Sequence, residues 1–242
     1  MRRSALAYGL LASVALTSPV MANDEVKKAS ADPNNWAMQS GNYNNWRYSE
    51  LDEINKSNVK DLRVAWQFST GVLRGHEGSP IVIGDRMWLH TPFPNNVFQL
   101  DISDPSGPKI LWKYSPKQDP SVIPVMCCDT VNRGGVNIVG DTLIIGQADT
   151  TLVALEANTG KEKWKAVNGD PKKGETHTGF TLVIGDKIIM GTSGAEFGVR
   201  CHVTAYNLAD GSRAWRAYSM GPDEDILVDP EKTLSLGKPV GK

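Results

Sequence analysis

The sequence predicts an all-β fold, a β-propeller, on three observations. Units of several strands recur at a period near 50 residues, each unit carries a Gly-Asp turn, and each closes on a tryptophan. The three clearest units are "IVIGDRMWLHTPFPNNVFQLDISDPSGPKILWKY", "NIVGDTLIIGQADTTLVALEANTGKEKWKA" and "LVIGDKIIMGTSGAEFGVRCHVTAYNLADGSRAWRA". The 242 residues include 23 glycines and seven tryptophans, in keeping with a turn-rich β architecture.

The elements are taken in chain order. Residues 1–22 open with Arg2 and Arg3, continue through an apolar stretch from Ala5 to about Leu16, and end in the small-residue pattern "VMA". That is the pattern of a secretory signal peptide cut after Ala22. Its apolar stretch is too short to span a membrane. The mature chain is expected to be exported, where disulfides are permitted. Trp66, in "RVAWQFSTG", stands 46 residues before Trp112 and reads as an earlier member of the series.

In each unit a first strand ends at Gly84-Asp85, Gly140-Asp141 or Gly185-Asp186, a tight-turn signal. A second strand comes next, then a third that ends near Leu100, Leu155 or Tyr206. A polar turn, clearest in "NTG" and "ADG", leads to Trp112, Trp164 and Trp215, separated by 52 and 51 residues. A tryptophan repeated in this way is expected to pack between neighbouring sheets. At this period residues 23–242 amount to roughly four blades. The closing stretch "GPDEDILVDPEKTLSLGKPVGK" lacks alternation and is not expected to form a blade. An open arc would expose a strand edge, so the chain is expected to be the front part of a longer one.

Composition excludes some functions. A net charge of −1 offers no excess for nucleic acid or an anionic membrane. His76, His90, His177 and His202 lack zinc-ligand spacing. No glycine-rich nucleotide pattern leads from a strand into a helix, which argues against a nicotinamide cofactor. The chain has three cysteines, and Cys127 and Cys128 are adjacent in "PVMCCDTVNRG". Taken alone, these residues are compatible with two free thiols, a bond to Cys201, or a bond to each other. Neighbouring Cα atoms lie about 3.8 Å apart, below the usual disulfide range of about 4.4–6.8 Å.

The segments "NNWRYSELDEINKSNVKDLRVAWQFSTG", "GHEGSPIVIGD", "HTPFPNNV", "PVMCCDTVNRG", "QADTTLVALEANTGK", "GAEFGVR" and "GPDEDILVDPEKTLSLGKPVG" occur in this order. Together they resemble the pyrroloquinoline-quinone (PQQ)-dependent alcohol dehydrogenases, most closely the lanthanide-dependent methanol dehydrogenase branch. The resemblance covers nearly all of residues 23–242. It implies an eight-bladed propeller with tryptophan docking motifs, of which this chain supplies about half, and a cofactor over the central channel. It implies that Cys127 and Cys128 join to each other and stack on one face of the flat quinone. It assigns Arg133 to the quinone oxygens, Glu77 to a contact with the cofactor from the channel rim, and Thr178 and Ser193 to the cofactor carboxylates. Gly194 and Ala195 would offer backbone groups at close approach. Glu196 would bind the metal, a hard oxygen ligand suited to a lanthanide or to calcium.

The resemblance also implies periplasmic methanol oxidation to formaldehyde, a c-type cytochrome as electron acceptor, and a homodimer. The family's catalytic base is expected beyond Lys242, with no catalytic residue inside this chain. The chain departs from the family at "GVRC", where Cys201 replaces the usual glycine. The two other readings are a calcium-dependent quinoprotein alcohol dehydrogenase and a non-catalytic periplasmic propeller scaffold. A scaffold has no need of the paired cysteines, Arg133 or Glu196.

Overall fold

The structure is a computed structural model that describes residues 22–128, 132–221, 231–232 and 234–239. The expected leader falls outside these residues, except for Ala22. Three four-stranded antiparallel sheets succeed one another, each ordered in sequence from its inner to its outer strand. The first holds β1 (Ile81–Ile83), β2 (Arg86–His90), β3 (Val97–Asp101) and β4 (Lys109–Tyr114). The second holds β5 (Asn137–Val139), β6 (Thr142–Gly146), β7 (Thr151–Glu156) and β8 (Glu162–Val167). The third holds β9 (Leu182–Ile184), β10 (Lys187–Gly191), β11 (His202–Asn207) and β12 (Arg213–Tyr218). Two-residue strands β13 (Leu234–Ser235) and β14 (Lys238–Pro239) pair with each other.

The middle sheet shows why its strands read as continuous apolar runs. Leu143, Ile145, Val153 and Leu155 face the first sheet, packing with Ile81, Trp88 and Val97. Ile144, Leu152 and Ala154 face the third sheet, packing with Val183, Ile188, Met190 and Tyr206. Successive side chains of a strand point to opposite faces, and both faces of this sheet are covered. A one-residue slip would exchange the two interfaces, so the register is tightly specified.

The repeated tryptophan and the repeated polar turn are partners. Trp112 lies against Gly160 of the "NTG" turn in the next sheet, and its Nε1 donates to the Ala157 carbonyl at 3.1 Å. Trp164 lies against Gly211 of "ADG" and donates to the Leu208 carbonyl at 3.2 Å. A Cβ on Gly160 would sit 2.6 Å from the Trp112 ring, so the turn needs a residue without one. Both glycines also hold positive φ, 69° and 71°, which favours glycine independently. A bulge precedes each tryptophan in the ladder: Leu111, Lys163 and Ala214 are skipped, and the next residues pair with Gln99, Ala154 and Ala205. Changing Trp164 to Phe keeps most of the ring and removes one donor. Thermal or urea unfolding should then show a loss of about 1 kcal/mol.

Among the described residues Trp66 lies in no four-stranded sheet like the other three. Residues 62–69 belong to no strand of the three sheets. Trp66 and Phe68 are partly buried while Ala65, Gln67 and Ser69 are exposed, a period of two. Phe68 meets Phe98 edge-on at 5.3 Å between ring centroids. The segment has the sequence of a tryptophan-bearing outer strand, but no inner strands precede it among the described residues.

An N-terminal segment lies before it instead, on the inner edge of the arc. Helix α1 (Asp24–Ser30) is capped by Asn23, whose side chain accepts from the Glu25 and Val26 backbone amides. Asn23 Nδ2 also donates to the Gly185 carbonyl, and Trp36 bridges Val82 of the inner strand β1. Tyr43 Oη donates to the Val183 carbonyl at 2.6 Å.

Candidate functional site

The site is built from one position used three times. Glu77, Arg133 and Thr178 each stand four residues before an inner strand, in "HEG", "NRG" and "HTG". They therefore lie at the same end of three neighbouring sheets. The loops ahead of the inner strands run parallel to one another: His76 bridges Asn132 in parallel register, and the Arg133 amide donates to the Thr178 carbonyl at 2.9 Å. The loop between β10 and β11 reaches the same end, because β10 runs antiparallel to β9.

The side chains connect accordingly. Arg133 Nε donates to Glu77 Oε2 at 2.8 Å, with both side chains half-exposed. An ion pair this open contributes little to stability; the bond holds one edge of the guanidinium against Glu77. Thr178 Oγ1 lies 3.1 Å from Ser193 Oγ. Thr176 and Ser193 exchange two backbone hydrogen bonds, of 3.1 and 2.8 Å. Glu77, Arg133, Thr178 and Ser193 thus form an unbroken series of contacts at one end of the three sheets.

Close backbone approach makes this possible. A Cβ on Gly134 would run into the Gly179 carbonyl oxygen and lie 2.5 Å from Phe180 Cα. Gly194 has φ 125°, and a Cβ there would meet the Gly174 carbonyl oxygen. After it, Ala195–Phe197 forms a single 3-10 turn that leaves Glu196 exposed. Among the described residues no cluster of three or more His, Cys, Asp or Glu side chains could hold a metal. A cation at Glu196 would need its other ligands from elsewhere.

Cys127 and Cys128 are bonded to each other, with Cα atoms 3.8 Å apart and Cys128 at φ 65°. They come after a 3-10 helix, Pro120–Val125, and precede Arg133 in the sequence by six and five residues. No described contact joins the sulfurs to Arg133, or Glu196 to the other site residues; these groups share one end of the sheets by topology. Cys201 is unpaired and partly buried. Its φ is not positive, so the loop does not require a glycine there. Its carbonyl accepts from both the amide and the hydroxyl of Ser219.

Two buried histidines pack beside these lead-in segments, and motif spacing alone does not single them out. His90, at the end of β2, donates from Nε2 to the Asn132 carbonyl at 3.3 Å, and its ring fills the space over Gly78 and Gly135. His177 donates from Nδ1 to the Gly191 carbonyl at 3.2 Å, and its ring lies over Gly146. Burial pushes both down to about 4, against a carbonyl bond that works the other way. For His177 the sequence does hold a signal: His76, Asn132 and His177 occupy one repeated position beside Glu77, Arg133 and Thr178.

Comparison with known proteins gives a consistent result. Residues 36–238 match the family described as "Glucose/ethanol/alcohol dehydrogenase, beta-propeller domain", of the PQQ group. A lanthanide-dependent methanol dehydrogenase of Methylorubrum extorquens is 60% identical over 96% of this chain and 38% of its own length. A methanol dehydrogenase [cytochrome c] subunit 1 of Paracoccus denitrificans is 49% identical, over 93% of this chain and 36% of its own. The solved structure of a europium-containing methanol dehydrogenase superposes with a TM-score of 0.80 at 49% identity, covering 86% of this chain and 36% of that one. The chain thus spans little more than a third of the length of these relatives.

Proposed function

The chain belongs to the PQQ-dependent alcohol dehydrogenase β-propeller family, and from that premise we propose that the complete protein is a quinoprotein methanol dehydrogenase. In this reading it oxidises methanol and other short alcohols to the aldehyde and passes electrons to a c-type cytochrome. It works in the periplasm after export and forms a homodimer. No described helix is long and apolar enough to cross a membrane. What supports the reading is that Glu77, Arg133, Thr178 and Ser193 are joined by contacts at one end of three neighbouring sheets.

The residues fit a flat, polyanionic quinone. Arg133 gives Nε to Glu77 and keeps its two Nη groups to donate to paired quinone oxygens. The Thr178 and Ser193 hydroxyls, 3.1 Å apart, suit one carboxylate. Gly194 and Ala195 let the ligand approach the backbone. The Cys127–Cys128 ring offers a polarizable face, and Glu196 an exposed hard donor for a lanthanide or calcium ion. Bound there, the quinone supplies a carbonyl carbon that accepts hydride, polarised by the cation. Neither carboxylate at this mouth is available as base in this reading: Glu77 is paired with Arg133, and Glu196 is the metal ligand.

The test is reconstitution. Metal-free complete protein is given PQQ with lanthanum or with calcium, and methanol-dependent reduction of cytochrome c is measured. Lanthanum should give the higher rate; a higher rate with calcium would move the protein to the calcium-dependent class. Failure to bind the quinone with either ion, read from its absorbance, would overturn the reading. Arg133→Lys keeps the charge but loses the planar fork. It should lower kcat/KM about tenfold to hundredfold, the worth of one charged hydrogen bond.

A further inference from the structure

One position earlier in each repeat, His76, Asn132 and His177 stand five residues before Ile81, Asn137 and Leu182. Asn132 and His177 are 1% and 2% exposed. Asn132 Nδ2 donates to the carbonyl of Gly146, the last residue of β6, at 3.2 Å. His177 Nδ1 donates to the carbonyl of Gly191, the last residue of β10, also at 3.2 Å. Gly146 and Gly191 are the same position of their sheets. Two different side chains therefore make one repeated bond.

The ladder explains why the bond is needed. β5 pairs with β6 only as far as Ile144, and β9 pairs with β10 only as far as Ile189. The last two residues of β6 and of β10 have no inner-strand partner. The side chains of Asn132 and His177 bridge those gaps and keep the lead-in segments docked where the ladder has stopped. Each is reinforced locally. Asn132 Oδ1 accepts from the Gly134 amide at 2.9 Å and the Gly135 amide at 3.4 Å, and the Asn132 carbonyl accepts from His90. The His177 amide donates to the Ala148 carbonyl at 3.2 Å. Gly191 shares its carbonyl with Asn168 Nδ2. The first sheet lacks this device: exposed His76 bonds to Thr70 and Arg74, and Glu77 relies on Arg133.

We propose that Asn132 and His177 are positioning residues, a latch repeated in two successive blades that aims Arg133 and Thr178 into the quinone mouth. The inference rests on the function proposed above. Consecutive residues of an extended segment point to opposite sides, so the latch reaches into the wall while its neighbour faces the ligand.

The internal repeat supplies the rescue variant. His177→Asn places in the third blade the side chain that makes the same bond in the second. His177→Leu fills comparable space with no donor. Two readouts are taken on the complete protein: PQQ affinity by fluorescence titration, and amide hydrogen exchange of residues 176–179 in the quinone-free state. His177→Leu should weaken quinone binding about tenfold and speed exchange. His177→Asn should restore both to within about threefold of the parent. If leucine preserves affinity and protection while asparagine loses them, the residue merely fills space and the latch is overturned. If the parent binds no quinone, yet leucine speeds exchange and asparagine restores it, the latch holds and the quinone reading falls.

Discussion

Gly134→Ala should separate the segments that lead into the second and third sheets. The added methyl would run into the Gly179 carbonyl oxygen and lie 2.5 Å from Phe180 Cα and 2.7 Å from the Gly179 carbonyl carbon. All three are backbone atoms, so no side chain can rotate away. The loops must part, and the 2.9 Å bond from the Arg133 amide to the Thr178 carbonyl lies one residue from the clash. Overpacking in a close-packed region costs about 1–3 kcal/mol, and more where backbone meets backbone; we expect about 3 kcal/mol or more. Gly179→Ala is the control. Its Cβ would meet only His177 Cε1, at 3.8 Å, an ordinary contact, and the loss should stay below about 1 kcal/mol. Urea unfolding of both variants checks the pair. Equal stabilities would show that the two loops are not held as described. Because Arg133 precedes Gly134, the first variant should also lose quinone affinity.

Much of this arrangement is legible in the sequence. The three Gly-Asp turns and the three tryptophans locate the sheets, because a propeller repeats its turn and its packing residue at fixed intervals. The "NTG" and "ADG" stretches read as polar turns; their glycines also receive the tryptophan of the preceding sheet. Trp66 carries the same tryptophan signal, but among the described residues no strands precede it, so the ladder shows its segment without a sheet of its own. The common position of Glu77, Arg133 and Thr178 is present in the string as "HEG", "NRG" and "HTG". It is easily overlooked, because the repeats align most plainly on the Gly-Asp turn after each inner strand and not on the segment that leads into it. The burial of His90 and His177 is not legible locally. His177 is enclosed because Gly146, 31 residues earlier, leaves room for its ring, and such a complementarity is fixed only by folding.

Those two imidazoles set the acid limit of the fold. Burial pushes His90 and His177 down to about 4 from an unfolded value of 6.5. Between these values the unfolded chain binds protons that the folded protein excludes, so stability rises with pH across the window. The contribution is complete above pH 6.5, is lost as pH falls, and is gone near pH 4. At about 1.36 kcal/mol per pH unit, each histidine accounts for about 3 kcal/mol, and the pair for about 6–7. That is a large share of the roughly 5–15 kcal/mol that a domain has to lose. His202 is lowered as well, chiefly by burial, and works in the same direction. Carboxylates add a separate, more acidic step: Asp101, held down to about 2 by Ser103 and Arg86, is lost only below the histidine window. Urea midpoints of the quinone-free protein at pH 7, 6, 5 and 4 should therefore fall steadily. The double variant His90→Gln, His177→Asn should start lower and change much less over the same range. A parent curve flat from pH 6.5 to 4 would mean that the rings reach water, and that the wall behind Arg133 and Thr178 is open.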